Sequence, residues 1–113
     1  MTELPKISQD PLYQLLRQGE IEEFNKRRLA GESCDLVNCD FRNVDLRKIN
    51  ADGLDFSGCY FRQTDLRGVD LSRSKLPGAS INGARVSGVY FPTELSAAEI
   101  NLSITYGTRM RYS

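Results

Sequence analysis

Residues 34–53 read CDLVNCDFRNVDLRKINADG, and a hydrophobic residue returns in this stretch at every fifth position. The spacing continues without a miss to residue 93, which makes twelve five-residue units in sixty residues. A helix repeats about every 3.6 residues and a strand every second residue, so neither produces a period of five. The central residues of the units are Leu36, Phe41, Leu46, Ala51, Phe56, Phe61, Leu66, Leu71, Leu76, Ile81, Val86 and Phe91. The period predicts a repeat architecture with these residues as its core.

Two further positions of each unit fit a narrow, filled interior with regular turns. The residue two places before the central one is mostly small, and it grows to Ile49 where the central residue shrinks to Ala51. Close packing at a fixed interior volume favours such an exchange. The fifth position is Gly in six units and Asn in two, and both residue types tolerate positive φ in tight turns. The pattern therefore indicates one turn per unit.

Two units show a known repeat pattern in full: VDLRK at 44–48 and TDLRG at 64–68. Each has a small residue, then Asp, then Leu, then two variable residues. This pattern resembles that of the pentapeptide-repeat family. The resemblance implies an all-β solenoid over residues 34–93, a right-handed quadrilateral β-helix of about three coils. Four units would then close one coil, so that residues twenty apart stack at about 4.8 Å.

The segment before the repeats predicts a tail followed by two short helices. Residues 1–9 are polar and resemble neither a signal peptide nor a membrane anchor, so we expect a flexible tail. Asp10 and Pro11 are typical of a helix start, and Gly19 is expected to end that helix. A second helix is expected from about residue 20 to residue 30.

The apolar stripe of this second helix is expected to comprise Ile21, Phe24 and Leu29. An open solenoid end exposes apolar interior and unpaired backbone, which an amphipathic element must cover. Residues 10–33 are therefore predicted to form an N-terminal helical cap.

The segment after the repeats, residues 94–113, predicts a C-terminal capping helix and a tail. Ser96 followed by Glu99 forms a capping box, and Gly107 is a typical helix end, which favours a helix to about Tyr106. The alternation of apolar residues between Ile100 and Tyr106 also suits a strand, which is the alternative to the favoured helix.

A helix here would have two apolar ridges. The first, with Leu95, Ala98, Leu102 and Tyr106, is expected to cover the last coil. Ile100 and Ile104 fall on the other side and are the candidate dimer interface. Several members of the family that this chain resembles dimerise through their C-terminal ends, so we expect a homodimer. The alternative is that residues 108–113 cover Ile100 and Ile104 within the same chain.

Aspartates and arginines flank many of the central residues and are expected to point to solvent. Stacking would place Arg42 beneath Arg62 and Arg47 beneath Arg67. These four arginines are the candidate partner surface. The favoured alternative is an aspartate–arginine ladder that only keeps the edge soluble, because all but Arg62 have an aspartate two residues earlier.

Composition argues against catalysis. The chain has no His, and its three cysteines, Cys34, Cys39 and Cys59, lack metal-ligand spacing. We expect them to be core thiols in a reducing compartment, with a bridge between Cys39 and Cys59 as the alternative. A tube filled by its own side chains also leaves no pocket for convergent catalytic groups. No catalytic, cofactor-binding or metal site is therefore expected.

Net charge separates the remaining function classes. The resemblance suggests DNA gyrase or another topoisomerase as a target, through mimicry of duplex DNA, but residues 34–93 carry seven acidic against eight basic side chains. A neutral chain also lacks the basic footprint that direct nucleic-acid binding needs, and no apolar run suits a membrane. We therefore expect a cytoplasmic, non-catalytic protein–protein interaction module, with topoisomerase modulation as the alternative.

Overall fold

The computed structural model describes residues 5–113. It contains three α-helices, which are α1 (Pro11–Arg17), α2 (Ile21–Leu29) and α3 (Ala97–Tyr106). Between α2 and α3 the chain makes a tight turn in almost every five-residue unit and pairs with itself through isolated parallel bridges. The repeat region is therefore flanked by helices on both sides.

The bridges join residues that lie twenty positions apart. They pair Asp40 with Tyr60, Tyr60 with Ser80, Asp45 with Asp65, Asp65 with Arg85, Asp55 with Lys75, and Asp70 with Tyr90. This confirms the predicted stacking and gives a β-solenoid. Its pairing is limited to single bridges rather than long strands, because two residues of each unit are spent on the turn.

We name the parts of the solenoid by their place in this stack. Layers 1, 2 and 3 are residues 34–53, 54–73 and 74–93. Each layer contains four five-residue units, and units that lie twenty residues apart are given the same side number. Side 1 is centred on Leu36, Phe56 and Leu76; side 2 on Phe41, Phe61 and Ile81; side 3 on Leu46, Leu66 and Val86; and side 4 on Ala51, Leu71 and Phe91.

The core is a continuous stack of side chains inside the layers. The rings of Phe41 and Phe61 lie nearly parallel, with 5.4 Å between their centroids, and the ring of Phe56 contacts both of them edge-on. Ten of the twelve central residues are buried, and the two exceptions, Val86 and Phe91, are half-buried in layer 3. The interior is therefore dense in layers 1 and 2 and partly uncovered at sides 3 and 4 of layer 3.

Small polar residues inside the stack have a role that the sequence did not show. Cys59, Thr64 and Ser74 each donate a hydrogen bond to a backbone carbonyl 23 residues earlier, at 2.8, 2.6 and 2.7 Å respectively. These carbonyls belong to the central residues of the layer below. The small inward position therefore both fits the narrow interior and satisfies buried backbone oxygens.

The turns hold the fifth residue of most units at positive φ. Gly58 suits its φ of 69°, and a Cβ atom there would lie 1.9 Å from the Oδ1 atom of Asn38 in the layer below, so the Asn38 side chain would have to move. Among residues 5–113, only Lys48 and Gln63 adopt positive φ without being Gly or Asn, at 70° and 57°. The predicted phase of the turns is confirmed.

The amino end of the solenoid is covered by α1, α2 and the segment before them. Asp10 caps α1 by accepting from Leu12 N–H, and its other oxygen accepts from Asp35 N–H on side 1 at 2.8 Å. Lys6 pairs with Cys39 in a parallel bridge on side 2. The predicted tail of residues 1–9 therefore does not hold for Lys6, whose backbone hydrogen bonds order it; residues 1–4 lie outside the described part of the chain.

Side chains of both N-terminal helices complete this cap. Tyr13, fully buried, donates its hydroxyl to the carbonyl of Asp40, and burial raises the pKa of Tyr13 to about 12. Asn25 donates to Lys48 C=O and accepts from Asn50 N–H, both at 2.9 Å, so its amide replaces a missing strand on side 4.

The helix bounds agree with the predicted ones to within about one residue, and Phe24 is buried as expected. Leu29 was wrongly assigned to the apolar stripe, since it is 81% exposed in the last turn of α2. The helix reaches the solenoid through Phe24 and Asn25, which lie one turn earlier.

The carboxyl end is covered by α3 and the chain that follows it. On side 1, Leu76 N–H donates to the hydroxyl of Tyr112 and Gly78 N–H donates to Met110 C=O. On side 2, Ile81 N–H donates to the Ser103 hydroxyl at 2.9 Å. The next amide along this edge, that of Gly83, donates to the carbonyl of Ile104.

Sides 3 and 4 of layer 3 remain open at this end. Within residues 5–113, the amide groups of Val86, Gly88 and Phe91 have no hydrogen-bond acceptor. Tyr90 lies beside them with 69% of its surface exposed. The carboxyl cap is therefore half complete.

The start and end of α3 are confirmed, but the predicted orientation of its faces is wrong. Ser96 accepts from Glu99 N–H, and Gly107 closes the helix at φ 74°, so the helix is favoured over a strand. Ile100 and Ile104 pack against the core, whereas Leu102 and Tyr106 are exposed.

The reason is Ser103, which is fully buried between Ile100 and Ile104 on the inward face. Its hydroxyl accepts from the edge amide of Ile81 and donates to Thr108 C=O at 2.7 Å. A polar residue at the centre of the buried face cannot be recognised from hydrophobic patterning. Ile100 and Ile104 therefore do not form the exposed ridge on which the predicted dimer interface depended.

Candidate interaction surface

Aspartates on the outer surface of the solenoid shape its turns. The Oδ1 atoms of Asp45 and Asp65 accept from the backbone N–H two residues later, at 3.0 and 3.2 Å. Asp55 and Asp70 make the same bond to Ser57 and Ser72. This local bond stabilises a turn by itself, so these aspartates have a structural role whatever they face.

On side 3, two of the predicted arginines share one carboxylate. Arg67 Nη2 lies 2.7 Å from Asp65 Oδ2, and Arg47 Nε lies 3.4 Å from the same atom. Arg47 also pairs with Asp45 at 2.8 Å. The hydrogen bond from Arg67, with the charge of both arginines, lowers the pKa of Asp65 to about 2. Side 3 therefore brings Arg47 and Arg67 together, as the stacking predicted.

On side 2, the other two predicted arginines meet at an aromatic ring. The guanidinium carbon of Arg42 lies 5.6 Å from the ring centre of Tyr60, within the range of a cation–π contact. Arg62 Nη1 lies 3.4 Å from the hydroxyl of the same Tyr60. Arg42 is also held by Asp40 at 2.8 Å, and Asp40 is buried. Among residues 5–113, no ion pair and no cation–π contact joins the pair on side 2 to the pair on side 3.

Three cations of this surface have no carboxylate within 4.0 Å among residues 5–113: Lys48, Arg62 and Arg85. Sequence reasoning included Arg62 but missed the other two. The signal at Arg85 is its place in the unit, because it stands where the layers below have Asp45 and Asp65. An arginine at the aspartate position removes a negative charge and adds a positive one.

Arg17 is a further cation of side 2 that sequence reasoning missed. Its Nη1 atom donates to the carbonyls of both Asp40 and Arg42, at 3.2 Å each. These carbonyls lie at the open amino edge of layer 1. Arg17 therefore closes backbone groups of this edge and adds charge to side 2.

Surface grooves in the described chain are shallow and open. A groove of about 310 Å³ lies between the turn after α1 and side 3, against Gly19, Ile21, Arg47 and Lys48. The backbone N–H and C=O groups of Asp45, on side 3 of layer 1, have no hydrogen-bond partner among residues 5–113.

The three cysteines are free thiols, so the alternative of a bridge between Cys39 and Cys59 does not apply. Burial raises the pKa of the Cys39 thiol to about 11, and it also raises the pKa values of Cys34 and Cys59. Cys39 and Cys59 are fully buried and Cys34 is half-buried. Such thiols are poor nucleophiles, because the reactive thiolate is disfavoured.

Neither a metal cluster nor a membrane-spanning helix is found in the described part of the chain. Residues 5–113 contain no group of three or more Cys, Asp or Glu side chains placed to hold a metal ion. None of the three helices has the length and apolar character that crossing a membrane requires.

Comparison with known proteins identifies the repeat. A family model for pentapeptide repeats matches residues 32–63 and 55–91, with eight copies of the repeat. Searches of curated proteins and of solved structures give no significant match. The matched residues cover more than half of the chain and coincide with the twenty-residue stacking. The chain therefore belongs to the pentapeptide-repeat family.

Proposed function

We propose that this protein is a non-catalytic protein–protein interaction module. The observation that carries the proposal is the filled interior: the central residues and their small inward neighbours occupy the tube, and no buried side-chain polar atom among residues 5–113 lacks a partner. Chemistry inside the solenoid would need space that the packing does not leave. The outer surface of the solenoid, which has a fixed shape, is the part of the protein that can contact other molecules.

The shape of the solenoid supports a role in binding a partner protein. We infer a right-handed quadrilateral helix of about three coils, since bridges twenty residues apart and one turn in almost every five residues are what such a helix requires. Flat sides with regularly spaced side chains suit recognition of a partner. We also infer a cytoplasmic location, because three free thiols are typical of a reducing compartment.

The partner surface in this proposal comprises Arg42, Arg47, Arg62 and Arg67 on sides 2 and 3. Support comes from the way these residues are held: ion pairs or contacts with Tyr60 order each guanidinium. Ordered side chains lose less conformational entropy on binding than free ones do. The competing ladder interpretation applies best to Arg47 and Arg67, whose forks are occupied by aspartates.

Affinity capture with the protein as bait tests this role. A partner held by the wild type should be lost from the variant with Arg42→Gln and Arg62→Gln, while a matched variant with Arg73→Gln and Lys75→Gln on sides 4 and 1 retains it. Circular dichroism and thermal melting would show that both variants fold. Failure to recover a stoichiometric partner under native conditions would contradict the proposal. Altered supercoiling by gyrase in the presence of the protein would instead favour topoisomerase modulation.

We also propose a homodimer through the carboxyl end, with a different surface from the one the sequence suggested. The exposed side chains of Leu102 and Tyr106 on α3 and Tyr90 on side 4 lie at this end, next to the open edge of layer 3. A two-fold axis would bring the same edge of a second copy against it, and each edge supplies both donors and acceptors.

Sedimentation velocity tests the dimer. The wild type is expected to dimerise at tens of micromolar, and the variant with Leu102→Glu and Tyr106→Glu should be a folded monomer. Glu at position 104 is a poorer choice, because Ile104 packs against the core and its loss would destabilise the fold. A control with Asn101→Glu adds charge to the exposed part of the same helix. A wild type that stays monomeric would remove the proposal.

A further inference from the structure

Charge is distributed unequally around the solenoid. The outward positions of sides 2 and 3 carry six cations and three carboxylates, whereas those of sides 1 and 4 carry two cations and four carboxylates. The chain as a whole is neutral, so this asymmetry is a property of the fold. A neutral protein with one positive flank attracts anions to that flank and repels them from the opposite one.

The donors still available on this flank are grouped about side 3. Arg85 lies on side 3 in layer 3, Arg62 lies just before the corner where side 2 meets side 3, and Lys48 lies at the corner where side 3 meets side 4. None has a carboxylate partner among the described residues. Each can therefore donate hydrogen bonds to a carboxylate of another molecule without first breaking an ion pair.

Backbone strain points to the same side. Lys48 and Gln63 occupy the two corners that flank side 3, at φ 70° and 57°. Most corners use Gly or Asn, which adopt this conformation at lower cost. A long side chain at such a corner costs local stability, and backbone strain of this kind concentrates at functional positions.

We infer that side 3 and its two corners bind an extended acidic segment of a partner protein, with Arg62, Arg85 and Lys48 as its carboxylate contacts. This inference rests on the proposed interaction function and names the chemistry of the partner. Three layers at about 4.8 Å give a side about 15 Å tall, which suits a short peptide better than a globular face.

The aspartates on this flank favour a peptide over a nucleic acid. Asp45 and Asp65 lie between the cations of side 3. A nucleic acid has a phosphate on every nucleotide and would place some of them against these carboxylates. A peptide can have uncharged residues at those points, because its acidic side chains need not be evenly spaced. The geometry therefore distinguishes the two classes of ligand.

The test uses the full-length protein and a fluorescent peptide of about ten residues that alternates Glu and Ser. Fluorescence anisotropy should show binding that weakens at least about tenfold between about 50 and 300 mM salt. Arg62→Gln with Arg85→Gln should weaken binding about tenfold. The control pair, Arg73→Gln with Lys75→Gln, removes the same charge from sides 4 and 1 and should change binding less than about twofold.

Lys48→Gly is a second, independent variant. It should raise the melting temperature by relieving strain at the corner, while weakening peptide binding about threefold. A lower melting temperature or unchanged binding would contradict the role of Lys48.

Three results would overturn the inference: no binding at millimolar peptide, equal weakening by the control pair, or tighter binding of a ten-nucleotide oligothymidine than of the peptide. A captured partner that is insensitive to Arg62→Gln, Arg85→Gln and salt would leave the interaction function standing and remove only the acidic segment.

Discussion

The two ends of the solenoid face the same physical problem and are closed to different degrees. At the amino end, Asp10, Lys6 and Asn25 satisfy backbone groups on sides 1, 2 and 4. At the carboxyl end, the cap satisfies only sides 1 and 2, through groups such as Met110 and Ser103. Apolar side chains packed over a solenoid end are therefore not enough to close it. An end is closed where a polar atom takes the place that the next layer's backbone would have had.

The largest effect is expected when an aromatic core residue near one end or the other is removed. Phe41→Ala should lower the free energy of unfolding by about 3 to 5 kcal/mol, because its ring packs between Tyr13 at 5.2 Å and Phe61 at 5.4 Å. Phe91→Ala should cost about half as much, since Phe91 is half-buried on an open side. Urea denaturation midpoints measure both. Equal midpoints would break the distinction between the ends.

A smaller effect is expected where the carboxyl end is closed. Ser103→Ala should cost about 1 to 3 kcal/mol, because it leaves the amide of Ile81 and the carbonyl of Thr108 without their buried partner. Hydrogen exchange at Ile81 should accelerate along with this loss. Ser87→Ala, on the exposed surface of side 3, is the matched control and should change neither quantity. An unaltered melting temperature for Ser103→Ala would show that this cap closes the end by packing alone.

The corresponding change at the amino end is Asn25→Ala. It removes two hydrogen bonds, to Lys48 C=O and from Asn50 N–H, that lie nearer to solvent. Water can replace part of what is lost, so the expected cost is about 1 to 2 kcal/mol. Asn101→Ala, at an exposed position of α3, is the control. Thermal melting measures both variants. A larger cost for Asn25→Ala than for Ser103→Ala would contradict the expectation that the more buried hydrogen bonds of Ser103 contribute more to stability.

The smallest effect concerns the ion pairs between the ends. Asp65 has a folded pKa of about 2, below the ordinary value of about 3.9, so its charge stabilises the fold above about pH 4 and this contribution is lost as the pH falls towards 2. Asp65→Asn keeps the turn-forming oxygen and removes the charge. It should cost under about 1 kcal/mol at pH 7, less than half of that near pH 2, where about half of the carboxyl groups are protonated, and nothing below about pH 1.

The control for this prediction is Asp55→Asn. Asp55 forms the same turn, with Ser57, but lacks an arginine two residues later. Urea midpoints across the pH range would test the pair. A penalty for Asp65→Asn that is as large at pH 2 as at pH 7 would assign its effect to the turn rather than to the charge.

The repeat and the helix ends could be predicted because each leaves a local signal. A period of five residues identifies the layers, and Asp10, Ser96 and Gly107 mark helix ends through hydrogen bonds made within a few residues. The pairing of arginines on one side also followed from stacking, since the period places Arg47 beneath Arg67. Sequence reasoning succeeds here because neighbours in space are separated by a fixed number of residues.

The closing contacts could not be predicted, because they have no period. At Lys6 the closing hydrogen bonds come from the backbone, which every residue type possesses, although its side chain also lies 4.0 Å from Asp35. Ser103 is polar at the centre of a buried helical face, so hydrophobic patterning placed the opposite face inward. The sides that stay open, side 3 at the amino end and sides 3 and 4 at the carboxyl end, depend on which long-range hydrogen bonds the caps make.

Because each full circuit of the solenoid takes twenty residues, the number of repeats also fixes the rotation of α3 about the solenoid axis relative to α1. Inserting or deleting twenty residues in the repeats would return α3 to the same direction above α1, only nearer or farther along the axis. Changing the length by a single unit of five would instead rotate α3 by about a quarter turn and carry Ser103 away from the edge amide that it accepts from. The two caps therefore restrict how this chain can lengthen: whole circuits keep both ends closed, and partial circuits do not.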